Sequence, residues 1–199
     1  NNDVLVATWG NLANRVLSFA YKHWDGHVPD PGELRPEDTA ILEQVESGFD
    51  SVADSLNAVR LRDALRTATG LASAVNRYLD KVAPWFEIKE DRPAAARSIY
   101  TSLKAIDSLK ILLAPFLPFS SEQLHHYLGY DQSLFGLQTI QTVEDNLGTH
   151  AVLRYIPGEG SGRWQPSQLQ PGQALRKPGP LFKKLDPDLA QEERSRLGN

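Results

Sequence analysis

Apolar residues recur every three or four positions through the first 129 residues, in stretches broken by prolines and glycines. That spacing gives each stretch one apolar helix stripe, and such stripes are buried by packing against one another. An all-α bundle of five helices is the expected fold. The first stripe is Leu5, Trp9, Leu12, Val16 and Phe19, and beside it runs a polar one, Thr8, Asn11, Arg15, Ser18 and Lys22. Gly26, Pro29, Pro31 and Gly32 mark a loop. Pro36 opens a second helix, with Glu37 and Asp38 in the first turn, where carboxylates meet the positive end of the helix dipole. Its stripe is Leu42, Val45, Phe49, Val52, Leu56 and Val59. A third stripe runs Leu61, Leu65, Ala68, Ala72, Val75, Leu79 and Val82, and Pro84 stops that helix. Pro93 opens a fourth, carrying Ile99, Leu103, Ile106 and Leu113, which Pro115 and Pro118 bend or end. Ser120 with Gln123 reads as a capping box for a short fifth helix that Gly129 closes.

Residues 1–129 thus form one helical unit, and 130–199 a mostly irregular C-terminal extension. Within it "HAVLRYI" (150–156) has strand character. Residues 157–180 are rich in Gly, Pro, Ser and Gln, a linker by composition. "PDLAQEERSRL" predicts a short, charged terminal helix. Leu181 and Phe182, set between prolines and lysines, are more apolar than a free linker needs. They are expected to pack on the bundle or on a neighbouring domain.

With 41% hydrophobic and 23% charged residues among 199, a core of useful size can form. The net charge of −4 argues against a generally nucleic-acid-coating surface, although a few arginines on one face can still act locally. The absence of cysteine excludes disulfides, thiolate zinc sites and a cysteine nucleophile. No apolar run reaches the roughly 18–20 residues a membrane span needs, and no signal peptide is visible. No membrane association and a cytoplasmic location are expected. The chain starts "NNDVLVATWG" and holds no methionine, so a fragment beginning inside a helix is expected.

A search for chemistry finds neither a Gly-rich phosphate loop nor a nucleophile elbow. His125 and His126 are adjacent, about 100° apart on a helix, and make poor joint metal ligands. One is expected on the surface and one partly packed. No catalytic residue and no metal site are expected. Two features remain. Asn11 and Arg15 sit one above the other on a helix face, either as a solvated pair or as a reader of base edge and phosphate. Trp85, just after Pro84, is either a core plug or an exposed stacking platform. The residues alone leave both choices open.

"GNLANRVLSF" (10–19), "AVNRYLDKVAPW" (74–85) and "LLAPFLPFSSEQLHHYLG" (112–129) resemble the anticodon-binding helical domain of methionyl-tRNA synthetases. The third is shared across class Ia synthetases; the second is more specific to the methionine enzymes. "GQALRKPGPLFKKLD" (172–186) resembles that family's tail, which leads back toward the catalytic domain. The family's HIGH-type and KMSKS-type catalytic signatures are absent. The resemblance therefore implies recognition without chemistry, ATP and methionine being used by a catalytic domain that precedes this one, with no cofactor here. It implies as partners the anticodon loop of tRNA(Met) and that catalytic domain. By the same resemblance Trp85 stacks on the wobble cytosine of CAU, and Asn11 and Arg15 contact anticodon bases and backbone. Ala7 stands where the family often has asparagine, and Thr8 is the candidate replacement for that polar contact. Stacking is worth roughly 1–3 kcal/mol per base and tolerates any base, so discrimination falls to Arg15 and Asn11. The alternatives are a helical protein-interaction module without an RNA role, and the equivalent domain of a sister class Ia synthetase, which the Ala-Pro-Trp corner disfavours.

Overall fold

A computed structural model describes residues 2–158, 162–186 and 188–197. The first segment is not one uniform α-helix. Residues Asn2–Gly10 wind as a π-helix, and Thr8 donates its hydroxyl to the Asp3 carbonyl five residues back, at 3.0 Å. Gly10 has α-helical dihedrals and leads without a break into α1 (Asn11–His23). The wider π turn takes Thr8 off the 3.6-residue register of Asn11 and Arg15.

α2 (Pro36–Asn57), α3 (Leu61–Val82) and α5 (Arg92–Leu113) pack on one another, with α1 and α6 (Pro118–Tyr127) against α5. α5 is the central helix, and its Leu103, Ile106, Leu109 and Leu112 are fully buried. The expected stripes hold through Val45, Phe49 and Val52 and through Ala68, Val75 and Leu79, but Val59 and Leu61 are exposed. Val59 takes the left-handed backbone (φ 57°) of the turn between α2 and α3, which points it away from the core. The fifth helix starts three residues earlier than the capping-box reading placed it, with Leu117 rather than Ser120 as its N-cap. Pro118 is its first residue, Ser120 donates to the Leu117 carbonyl at 3.2 Å, and Gln123 donates to the Tyr127 hydroxyl at 2.7 Å. Gly129 (φ +90°) closes it, and a Cβ there would stand 1.8 Å from the Ala174 carbonyl oxygen, so no other residue fits. Pro84 ends α3 but also starts α4 (Pro84–Glu90), a short helix beyond the expected five.

Asp38 is not a solvated dipole partner but a buried hub. Its Oδ2 accepts the Arg35 backbone N–H (2.8 Å) and Nε (3.0 Å), and its Oδ1 accepts Arg35 Nη2 (3.0 Å) and the Tyr78 hydroxyl (2.6 Å). Arg35 reaches on to Ser98 Oγ (2.9 Å) and Glu87 Oε1 (3.3 Å), and Ser98 donates to Glu87 Oε2 (2.8 Å). Burial alone would raise the Asp38 carboxyl, yet the hydrogen bonds from Arg35 and Tyr78 outweigh it and hold its pKa below the usual range. A second buried polar cluster fixes the chain after α6. Lys110 pairs with Asp107 and meets His125 Nδ1 at 2.8 Å, while the Tyr130 hydroxyl donates to Asp107 at 2.8 Å. The Tyr130 ring lies parallel to His125, with 4.2 Å between centroids. Burial, then the Lys110 charge, pushes His125 down to about 4. His126 instead contacts Arg176 at the surface.

The extension departs most from its composition. β1 (Leu137–Asp145) and β2 (Gly148–Ile156) form an antiparallel hairpin in which Ile140 faces Leu153. The expected strand at 150–156 is half of it. The other half shows no apolar–polar alternation, because both faces of the hairpin are largely exposed. Residues 162–176, expected as a linker, strap across the bundle. Trp164 donates to the Phe49 carbonyl at 3.2 Å and meets the Phe49 ring edge-on at 5.5 Å. Leu169 is fully buried, the Val28 N–H donates to the Gln173 carbonyl, and the N–H groups of Leu175 and Arg176 donate to the carbonyls of Gly26 and Tyr127. Leu181 and Phe182 pack half-buried against the core, as expected of them. The terminal helix is α7 (Leu189–Leu197). Among the described residues, no helix is long and apolar enough to cross a membrane.

Leu169→Ala is expected to cost about 2–5 kcal/mol of unfolding free energy, as for any fully buried leucine; a free linker would lose nothing in a urea melt. Asp38→Asn breaks a buried pair and is expected to cost about 3–5 kcal/mol. Both His125 and Asp38 have depressed folded-state pKa values, so each stabilises above its unfolded pKa and loses that contribution as pH falls. Stability should therefore decline from about pH 6.5 toward 4 through His125, and further below about 3.9 through Asp38. A thermal-melt profile that stays flat between pH 6.5 and 4 would contradict the His125 assignment.

Candidate functional site

A single left-handed residue sets the site. Ala83 (φ 44°, ψ 60°) ends α3, its N–H donating to the Leu79 carbonyl at 2.9 Å, and its own carbonyl accepts the Phe86 N–H at 2.9 Å to begin α4. A non-glycine residue there costs roughly 1–2 kcal/mol, which the surrounding packing must offset. The reversal turns Trp85, in the first turn of α4, toward α1. Glu87 then ties α4 to the Asp38–Arg35 hub and to Ser98 of α5. Trp85 is neither plug nor bare platform: it is half-buried against the core, with the exposed Phe86 ring edge-on at 6.5 Å.

The Arg15 guanidinium lies over this ring, 4.6 Å from its centroid, and its Nη2 donates to Asp80 Oδ1 at 3.0 Å. Both partners of the ion pair are exposed, so it is worth about 0–1 kcal/mol and is screened by salt. Between α1 and α4 lies a groove of about 350 Å³, with Phe19, Leu79, Pro84 and Ile99 as apolar walls and Arg15, Lys22 and Trp85 at its rim. That volume is at the small end for ligand clefts and suits one planar group.

Of the three residues singled out in the sequence, Arg15 and Trp85 meet here, although 70 positions apart. Asn11 is exposed one turn before Arg15, about 6 Å along the helix, and does not line the groove. Thr8 spends its hydroxyl on Asp3 in its own turn. Phe19, Lys22 and His23, also on the groove, were not singled out as site residues. Their spacing of four, seven and eight from Arg15 places them on its helix face, which is the signal that could have found them. His23 is held below its usual pKa by burial and by the charges of Lys22 and Arg92.

The groove offers a stacking ring, a guanidinium and an ammonium, and Ser18, which also lines it, donates its hydroxyl to Asn14 Oδ1 at 3.2 Å. The cavity of about 290 Å³ beside Lys110 and His125 is bordered by Asp107, Lys110, His125 and Tyr130, which are already hydrogen-bonded to one another, and by Arg163.

Residues 28–152 match the family model described as the anticodon binding domain of methionyl tRNA ligase, a span that includes Trp85 but begins after α1. A methionine–tRNA ligase of Thermomicrobium roseum is 50% identical over 199 residues, covering 99% of this chain and 34% of that protein. One of Chloroflexus aurantiacus is 48% identical over 198 residues, covering 99% and 33%. The free-state crystal structure of Mycobacterium tuberculosis methionyl-tRNA synthetase shares the fold, with TM-score 0.73 at 24% identity, over 93% of this chain and 33% of that one. The chain spans about a third of the length of the curated relatives it matches. The left-handed Ala-Pro-Trp corner, the helices that hold it and these likenesses agree: the chain belongs to the family of methionyl-tRNA ligase anticodon-binding domains.

Proposed function

We propose that this chain reads the CAU anticodon of tRNA(Met) for a methionine–tRNA ligase. The observation that carries the proposal is Arg15 stacked on Trp85 at the mouth of the apolar groove. Anticodon loops present unstacked bases, which proteins read by aromatic stacking and by hydrogen bonds to exposed edges. In this reading the wobble cytosine stacks on Trp85 and displaces Arg15 from the ring. Arg15 exchanges a screened contact with Asp80 for a base edge or a phosphate, and charge-assisted bonds of that kind are roughly twice as strong as neutral ones. Asn11, one turn along, contacts a neighbouring base or the backbone from outside the groove. Methionine activation with ATP falls to a catalytic domain of the same protein, in the cytoplasm, and Leu181–Phe182 belong to the tail that approaches that domain. A second reading, protein docking, draws on the exposed Ile140 and Leu153 of the hairpin.

Binding of a labelled CAU stem-loop at fixed salt tests the first reading. Trp85→Ala should lose roughly five- to a hundredfold in affinity, the range set by stacking one base. Its melting temperature should fall as well, since the ring is half-buried, so Trp85→Phe is the companion variant: it keeps a ring and should keep most of the binding. Arg15→Ala should weaken binding and lessen discrimination against a replaced wobble base, with Asn11→Ala milder. Wild-type affinity in folded Trp85→Ala and Arg15→Ala would overturn the roles given to these two residues, whereas no binding of the stem-loop by the unaltered chain would favour the docking reading.

A further inference from the structure

The C-terminal end of α1 carries a second guanidinium over a second tryptophan. Arg92, at the start of α5, lies 5.4 Å from the Trp24 ring centroid and donates to the His23 carbonyl in the last turn of α1. Trp24 is half-buried and Arg92 is exposed. Beside the pair, Asp30, Gly32 and Arg97 border an open cleft of about 470 Å³. Gly32 has φ +60° and open space where a Cβ would stand, so the loop wall is backbone. Asp30 turns a carboxylate oxygen inward onto the Gly32 N–H at 3.0 Å. Asp91, next in sequence to Arg92, accepts the Ala94 N–H as the cap of α5. The Nε of Arg97 is buried and finds no hydrogen-bond partner among the described residues. A guanidinium cannot shed its charge, and a buried donor of this kind is ordinarily satisfied.

The cleft therefore combines a stacking surface with two guanidinium groups against one lining carboxylate. That set suits a nucleotide: bases stack on guanidinium planes as well as on aromatic rings, and arginine takes phosphate oxygens. The cleft is also in reach of the first site. Trp24 lies nine residues beyond Arg15, about 13 Å along α1, with Lys22 and His23 between them on the groove.

We infer that this cleft is a second nucleotide site, where the base next to the one on Trp85 stacks on the outer face of Arg92 and its phosphate meets Arg97. The inference rests on the RNA-reading function proposed above. The RNA strand then follows the last two turns of α1, from one Arg–Trp pair to the other. Stacking at the second site tolerates any base, so it adds affinity while discrimination stays with Arg15.

The test uses the 199-residue chain and fluorescently labelled stem-loop RNAs, with salt titration and parallel thermal melts. Arg92→Gln and Arg97→Gln should each weaken CAU stem-loop binding by about tenfold and lower the salt slope by about one. The factor lost on replacing the wobble cytosine should stay as in the unaltered chain. An abasic nucleotide next to the wobble position should reproduce the loss in the unaltered chain and add little to Arg92→Gln. Unchanged affinity and slope in both variants overturns the second site. So does a loss that follows a lowered melting temperature in both, which would make the arginines scaffold. The anticodon reading fails separately: the unaltered chain would then bind CAU and wobble-replaced stem-loops equally, with the arginine variants still weaker on both. Binding of neither RNA by the unaltered chain overturns the two together.

Discussion

The carboxylate of Asp38 is the constraint on which the rest of the structure depends. A buried charge is tolerable when its lone pairs are filled, and here four donors from Arg35 and Tyr78 fill both oxygens. The hub is less a source of net stability than a set of fixed distances between α2, α3, α4 and α5. α4 needs it most. A seven-residue helix does not persist alone, so its place depends on Glu87 in the hub and on Pro84 in the core. Trp85 lies between those two anchors.

Mechanically, the site is a soft contact on a stiff frame. Arg15 over Trp85 is an exposed cation–π pair worth about 0.5–1 kcal/mol, and the Arg15–Asp80 bond adds little more at the surface. A stacked base returns roughly 1–3 kcal/mol. In the proposed reading an incoming base would displace Arg15 without straining the helices and land on a ring that α4 already orients. Asp80 holds Arg15 near the groove.

How much of this could be read in the sequence follows from which interactions leave a period. Val45, Phe49 and Val52, or Leu103 and Ile106, are spaced by the helix and point into the core, so the bundle was legible. Asp38 was not, because in sequence a carboxylate in a first turn looks like any dipole partner. The strap was hidden for another reason. Its anchors Trp164, Leu169 and Leu175 are single residues five or six apart, held by backbone bonds to Val28, Gly26 and Tyr127, and such bonds carry no side-chain pattern. β1 showed no alternation because it has no dry face. Nor does any spacing rule join Arg15 to Trp85. The resemblance named both residues, and the left-handed Ala83 supplied the turn that brings them together.

The tail beyond the strap also bears on how α1 is held. Gly10 joins the π-helical segment to α1, and a Cβ there would stand 3.0 Å from Cδ2 of Phe182. The missing side chain lets the tail ring close against the start of the helix that carries Asn11 and Arg15. At its other end α1 is held by Arg92 on the His23 carbonyl. Between these clamps its buried face packs on α5, and its outer face carries the basic side chains. α1 is thus fixed at both ends by residues far away in sequence, one from the tail and one from α5. A change at Phe182 should therefore reach Arg15 through the helix they share, and a tail that approaches another domain would couple that domain to the groove by the same route.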